Sequence, residues 1–291
     1  MNIFTTQKLI IRILFILVLG FNVVLVGGCK KYAAATPAFF IKSSNVSVVT
    51  TTSIQGTSSN KITELYLYVN GKFQGAYPTG NLMPIASNNQ NVNIDIFAGI
   101  KNNGFKSTHI TWLFYDKIEI DTIVESGVIV DRPLAFKYNP NVKFAWIEGF
   151  ENTTGTSLIK SGVSSVNFLS VTSPESFEGK SIKMELTQNQ TIAQIESVNS
   201  FSLPTGSSNV YLELDYKCFQ EFTIGLIANN TEKQVITLNP NTNWNKIYIN
   251  LADILNTAPT AATHKLYFKM KKINDSDDSR FYLDNIKVVH F

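Results

Sequence analysis

Few residues in this chain are of the types that make or break bonds. The three histidines, His109, His264 and His290, lie far apart and none belongs to a spaced partner motif. No Gly-x-Ser-x-Gly, His-Glu-x-x-His or phosphate-loop pattern occurs. Glu148 and Glu151 could stand close enough for acid–base work, but spacing alone does not define such a pair. Asp275-Ser276-Asp277-Asp278 reads as a solvated turn, because the Gly and distal Glu of a calcium loop do not follow. What remains is a chemistry of binding. Sugar rings stack on flat aromatic faces, and phenol or indole groups add a polar edge. Tyr211, Tyr216, Trp244, Tyr248 and Tyr267 are available for this, with Tyr211, Trp244 and Tyr267 the candidate ligand contacts. Trp112 and Phe114-Tyr115 add to them earlier in the chain. Each sits in or beside a strand-like run, where cross-strand or core packing is the competing role; Trp244 opens a strand and is expected to pack between sheets.

The chain that must position these residues has 291 of them, enough for one large or two ordinary domains. A hydrophobic content of 44% suffices for a core and argues against disorder. A net charge of +3 is too weak for an electrostatic grip on nucleic acid, so no nucleic-acid partner is expected. Two cysteines and three histidines leave little for a zinc or thiol site.

Lys8 and Arg12 precede the apolar run Ile13-Leu14-Phe15-Ile16-Leu17-Val18-Leu19, the layout of a secretory signal over residues 1–28. The run ends in Leu25-Val26-Gly27-Gly28-Cys29, which resembles a bacterial lipobox. The resemblance implies cleavage before Cys29 and lipid attachment to its sulfur. More than one acyl chain makes anchoring stable, at about 0.8 kcal/mol per buried methylene. Lys30-Lys31 follow the Cys where surface lipoproteins of Bacteroidetes carry acids. The expected address is therefore the outer membrane, facing the periplasm. Residues 29–37 read as a tether ending at Pro37. Cys218 is left alone in an apolar alternation and reads as a buried strand thiol.

Beyond the tether, apolar residues recur at period two in short runs. Candidate strands are Phe39–Lys42, Val46–Thr51, Glu64–Val69, Lys72–Ala76, Val92–Phe97, Ile110–Phe114 and Lys117–Ile123, with Asn70-Gly71 as a hairpin turn. Residues 38–140 are expected to form an immunoglobulin-like β-sandwich. The stretch Tyr68–Pro78 resembles a PEGA-type repeat, an accessory module of cell envelopes. A turn at Tyr138-Asn139-Pro140-Asn141 marks the boundary. The pattern restarts at Phe144–Glu151, and residues 141–291 then carry about nine strand candidates, Ser164–Val171, Ser181–Leu186, Ile195–Leu203, Val210–Cys218, Phe222–Ala228, Gln234–Leu238, Lys246–Leu251, Lys265–Lys271 and Phe281–His290, enough for a jelly-roll β-sandwich. Ala252–Leu255 reads as one helical turn. The fold class is all-β.

Phe150-Glu151, Trp244–Leu251 and Phe281-Tyr282-Leu283-Asp284-Asn285-Ile286-Lys287-Val288 make residues 143–291 resemble a galactose-binding-like or carbohydrate-binding-module jelly roll. In such modules an acid after the first strand and an Asp on the last strand share a structural Ca²⁺. The resemblance implies Glu151 and Asp284 here, with backbone carbonyls completing the six to eight oxygens required. Asp121-Thr122-Ile123 is similar to an envelope O-glycosylation acceptor. Lys269-Met270-Lys271-Lys272 reads as a solvated strand edge guarded by lysines. The expected function is non-catalytic: a lipid-anchored binding or scaffolding module with an envelope protein or glycan as partner. The alternative is a carbohydrate-binding lipoprotein of a polysaccharide-uptake system. A sugar platform calls for exposed aromatics on one face of the second half; a scaffold buries them.

Overall fold

The computed structural model describes residues 12, 14–15, 37–87, 90–206, 209–257, 263–274 and 278–291. The chain divides into two compact units, Met1–Pro37 and Ala38–Phe291. In the first, Arg12, Leu14 and Phe15 are helical and exposed. Cys29 and residues 30–36 of the tether lie outside the described residues, as do Asp275, Ser276 and Asp277 of the acidic turn. Among the described residues no helix is long and apolar enough to cross a membrane.

The second unit is all-β, an immunoglobulin-like sandwich followed by a jelly-roll sandwich. Its first ten strands are β1 (Ala38–Lys42), β2 (Val46–Val49), β3 (Glu64–Val69), β4 (Lys72–Pro78), β5 (Leu82–Ala86), β6 (Val92–Lys101), β7 (His109–Thr111), β8 (Ile118–Thr122), β9 (Ile129–Asp131) and β10 (Leu134–Lys137), with the short helix α1 (Thr52–Gln55) after β2. Period-two patterning sets their faces. In β3, Leu65, Leu67 and Val69 turn inward, and Glu64, Tyr66 and Tyr68 turn outward. Asn70 and Gly71 join β3 to β4 with φ of 49° and 73°, the two positive values that a type I′ turn demands.

A five-stranded sheet (β4-β3-β6-β7, with β8 also on β6) faces a three-stranded sheet (β5-β1-β9) and the pair β10-β2. Phe39, Ile41, Met83 and Ile85 meet Leu65, Leu67, Ile94 and Ile96 in the core between them. β1 and β2 run parallel to β9 and β10. Both lines break at the same level, where Ser44 bonds the Asp131 carboxylate through its N–H at 3.1 Å and its hydroxyl at 2.5 Å. β5 escaped the sequence reading because it contains Pro84, which is tolerated here because β5 is an edge strand.

The jelly roll comprises β11 (Lys143–Glu148), β12 (Leu158–Lys160), β13 (Leu169–Val171), β14 (Ser181–Leu186), β15 (Ile192–Ser197), β16 (Val210–Cys218), β17 (Phe222–Ala228), β18 (Thr231–Leu238), β19 (Asn241–Asn250), β20 (His264–Lys271) and β21 (Ser279–His290). The helix α2 (Ala252–Asn256) lies where one helical turn was expected. One sheet runs β13-β14-β21-β16-β19, with β11 also paired to β21; the other runs β12-β15-β20-β17-β18. All of their pairings are antiparallel. β21 carries a bulge, with Asn285 at φ 48°. Glu213 pairs with Lys287 but Asp215 pairs with Asp284, so β21 advances three residues while β16 advances two. The extra residue puts Asp284 and Lys287 on the same face, although an odd spacing would separate them in a regular strand. The core behind that face holds Phe281, Leu283, Ile286 and Val288.

Candidate functional site

The outer face of the β12-β15-β20-β17-β18 sheet carries a groove of about 540 Å³. Leu266, Phe268 and Met270 of β20 enter the core; Tyr267, Lys269 and Lys271 alternate to the outside and line the groove. Tyr267 lies across Gly225 of β17. A Cβ at Gly225 would come within 2.4 Å of the tyrosine ring and 2.5 Å of the Lys233 carbonyl oxygen, so only glycine leaves room for the ring. Glu232 of β18 accepts from Gln194 Nε2 at 2.7 Å and from Lys269 Nζ at 2.8 Å. Burial opposes the charge on Glu232, but these two donors outweigh it and hold the carboxyl below its ordinary range. Thr223, Gln234 and Thr237 complete the wall, and the two threonine hydroxyls stand 3.1 Å apart. The groove thus presents carboxylate, amide, hydroxyl and ammonium groups over an aromatic floor. The Lys269–Lys272 run is not a guarded edge: β20 is flanked by β15 and β17, and Lys269 belongs to the groove wall.

The three aromatic candidates do not form one platform. Tyr267 is in the groove but only 3% exposed, so it is a floor and not a stacking surface. Trp244 is on the other sheet and faces away from the core rather than between the sheets. It is half-buried against Phe177 (5.5 Å) and Tyr282 (6.2 Å), with Lys217 Nζ 5.2 Å from its ring centre. Tyr211 is buried between the two halves, 4.9 Å edge-on from Trp112. Tyr248 is buried beside it, 4.7 Å from the same indole.

That contact belongs to a seam joining the halves across the outer face of β16, β19 and β21. Four charged side chains are buried there: Glu213, Asp215, Lys246 and Lys287. Tyr138 donates its hydroxyl to Glu213, 2.9 and 3.0 Å from the two oxygens. Ser59 donates to Asp215 at 2.6 Å, and Lys287 donates to the Thr57 carbonyl at 2.6 Å. Lys246 Nζ stands 3.7 Å from Asp215 and 3.9 Å from Glu213. Burial lowers the Lys287 pKa to about 8, against the pull of nearby Glu213. Asp284, buried beside Asp215 on the same face, adds a third acid to these two acids and two ammonium groups, and the donors come from both halves. Sequence reasoning missed this network. An acid at every second position of β16 reads as a solvent face, and only the first half, folded over it, makes it interior.

Glu151 and Asp284 bear on one segment. Glu151 accepts from Lys180 N–H at 2.6 Å, and Asp284 accepts from Ser181 Oγ at 2.7 Å and Glu178 N–H at 3.3 Å. Burial pushes the Asp284 pKa up to about 7, while those donors pull the other way. Among the described residues no group of three or more His, Cys, Asp or Glu side chains could hold a metal ion, so carboxylates alone do not make a calcium site here. Glu148 is committed to structure. It accepts from Phe150 N–H at 2.8 Å, Thr156 Oγ1 at 2.9 Å and Ser157 N–H and Oγ at 2.5 Å, closing the 149–157 loop. Cys218 is a buried strand thiol, 3.3 Å from the Asn239 carbonyl and pushed up to about 11 by burial. Burial and Lys233 hold His264 below its ordinary pKa. His109 pairs with Glu64.

No family model and no curated protein matches the chain. Among the solved structures similar to it are several carbohydrate-binding modules and the enzymatically active domain of a bacteriophage CBA120 tailspike protein. One is a family 28 module specific for non-crystalline cellulose, 18% identical over 48% of this chain and 91% of that one, with a TM-score of 0.37. A second is a family 11 module from Clostridium thermocellum in complex with a β-1,3-1,4-mixed-linked tetrasaccharide, 16% identical over 50% and 96%, TM-score 0.32. A third is a tandem family 22 domain from Paenibacillus barcinonensis, 13% identical over 79% and 74%, TM-score 0.37. The fold assignment rests on the sheets described above.

Proposed function

We propose that this protein is a non-catalytic glycan-binding module, held at the outer membrane by lipid on Cys29. The observation that carries the binding part is the open groove on the β20-β17-β18 face. It is of ligand-site size and lined by convergent polar side chains over an aromatic floor. Glu232, Gln234, Thr223 and Lys269 supply the donors and acceptors that sugar hydroxyls need. The lipobox-like run ending at Cys29 supports the anchoring part.

Affinity electrophoresis of the detergent-solubilised full chain through mixed-linked glucan, xylan and mannan tests the groove. Retardation that falls about tenfold or more in E232Q/Q234A is expected, for the loss of two or more hydrogen bonds. Unretarded migration in every polysaccharide overturns the glycan reading and leaves a protein partner as the scaffold's ligand. Replacing Cys29 with Ser is expected to move the protein from the membrane to the soluble fraction, and a soluble wild type removes the anchor. The calcium reading has its own test, which the shared 178–181 segment motivates. A melting temperature raised by Ca²⁺ over chelator, and no longer raised in D284N, supports it. Equal melting temperatures remove the metal.

A further inference from the structure

A second cavity, of about 530 Å³, lies at the seam between the two sandwiches, well away in the fold from the groove strands. Its walls are the Thr52–Thr57 segment of the first half, the 149–157 loop and the β21 bulge. The backbone is bent at each wall to leave this space, with positive φ at Gly56 (69°), Phe150 (60°) and Asn285 (48°). A Cβ at Gly56 would meet Lys287 Cε at 2.9 Å and Ile147 Cγ2 at 3.2 Å. The lining pairs the half-buried side chain of Ile147 with hydroxyls and amides; the side chains of Phe150 and Ile286 belong to the core beneath it. One of those hydroxyls, Thr57 Oγ1, is buried and has no hydrogen-bond partner among the described residues. An orphaned hydroxyl costs free energy unless something bonds it. Charge narrows the choice of ligand. Glu148 and Glu151 line the cavity with a single ammonium, that of Lys287, which is already bonded to the Thr57 carbonyl. An anion would meet two carboxylates without a spare cation.

We propose that this seam cavity is a second ligand site, separate from the groove, that takes an uncharged, hydroxyl-rich molecule of sugar type, with Thr57 Oγ1 as one of its contacts. Because both halves supply walls, the ligand would bridge them.

Hydrogen exchange followed by mass spectrometry on the detergent-solubilised full chain tests this, with glucose, xylose, N-acetylglucosamine and glucuronate as millimolar probes. A neutral sugar is expected to slow exchange in both 52–57 and 149–157. T57V is expected to weaken that protection about five- to tenfold while leaving the unfolding midpoint unchanged or higher, since it removes an unpaired hydroxyl and keeps the shape. T52W, which fills the mouth at an exposed position, is expected to abolish it. Protection confined to β17, β18 and β20 overturns the seam site and leaves the groove reading standing. Protection in neither region overturns both. A seam response to glucuronate alone, or one that survives T52W, overturns the assignment.

Discussion

Trp112 brings aromatic rings of both halves together at the joint between them. It is 1% exposed and contacts four rings. Phe114 at 4.8 Å and Tyr115 at 6.3 Å belong to its own half, and Tyr211 at 4.9 Å and Tyr248 at 4.7 Å belong to the other. Replacing a buried Trp by Ala costs about 3–5 kcal/mol. The two ring pairs across the seam account for about 1–3 kcal/mol of that, at about 0.5–1.5 kcal/mol per pair. The indole N–H has no partner among the described residues, which places the expected loss toward the lower end of the range. The remaining tryptophans, Trp146 and Trp244, both lie in the jelly roll. In W112A, fluorescence therefore reports the second half alone, while circular dichroism reports both. Urea unfolding of W112A is expected to show a loss of about 3–4 kcal/mol and a separation of the two signals as the halves uncouple. Coincident transitions with a loss below about 1 kcal/mol would refute the view that this aromatic contact joins the sandwiches.

Three further outcomes follow from particular contacts. Y138F removes the hydroxyl donor from the fully buried Glu213, so urea denaturation should show a loss of about 1.5–3 kcal/mol, the range for a hydrogen bond to a charged group. G225A drives a methyl group into the Tyr267 ring and the Lys233 carbonyl, so overpacking should cost about 1–3 kcal/mol and polysaccharide retardation should disappear as the ring lifts into the groove. Lys287 has a pKa of about 8 when folded and 10.5 as its ordinary value, so between those pH values the unfolded chain binds the extra proton and stability rises with pH. From about pH 7 to about pH 9 the gain should be about 1 kcal/mol, read as a rising urea midpoint in the wild type and a flatter one in K287M.

Much of the architecture was legible because strand periodicity is a local property. Glu64–Val69, Ser181–Leu186, Val210–Cys218 and Phe222–Ala228 have the bounds that their alternation predicts. Asn70-Gly71 announces its turn because few other residue pairs take two positive φ values cheaply. Short strands set by their partners were not legible. β9 and β12 have three residues each and owe their existence to the ladder with β1 and β15. The expected Ser164–Val171 strand shrinks to Leu169–Val171, since only those residues find a partner in β14.

The site divides along the same line. Residue types and order by themselves determined an all-β chain, the type I′ hairpin, the buried thiol of Cys218 and the presence of aromatics in strands, because each follows from side-chain shape or from neighbours a few residues away. Which face of a sheet meets water is decided by what packs over it. Glu213 and Asp215 have the pattern of solvent-facing acids and are interior only because the first sandwich covers them. Tyr211, Trp244 and Tyr267 are equivalent in sequence, yet they go to the seam, a half-buried outer face and a groove floor. Gly225 gains its meaning from the ring laid across it, and Asp284 and Lys287 share a face only through the bulge at Asn285. Those assignments depend on residues tens to hundreds of positions apart, so only the tertiary structure could make them.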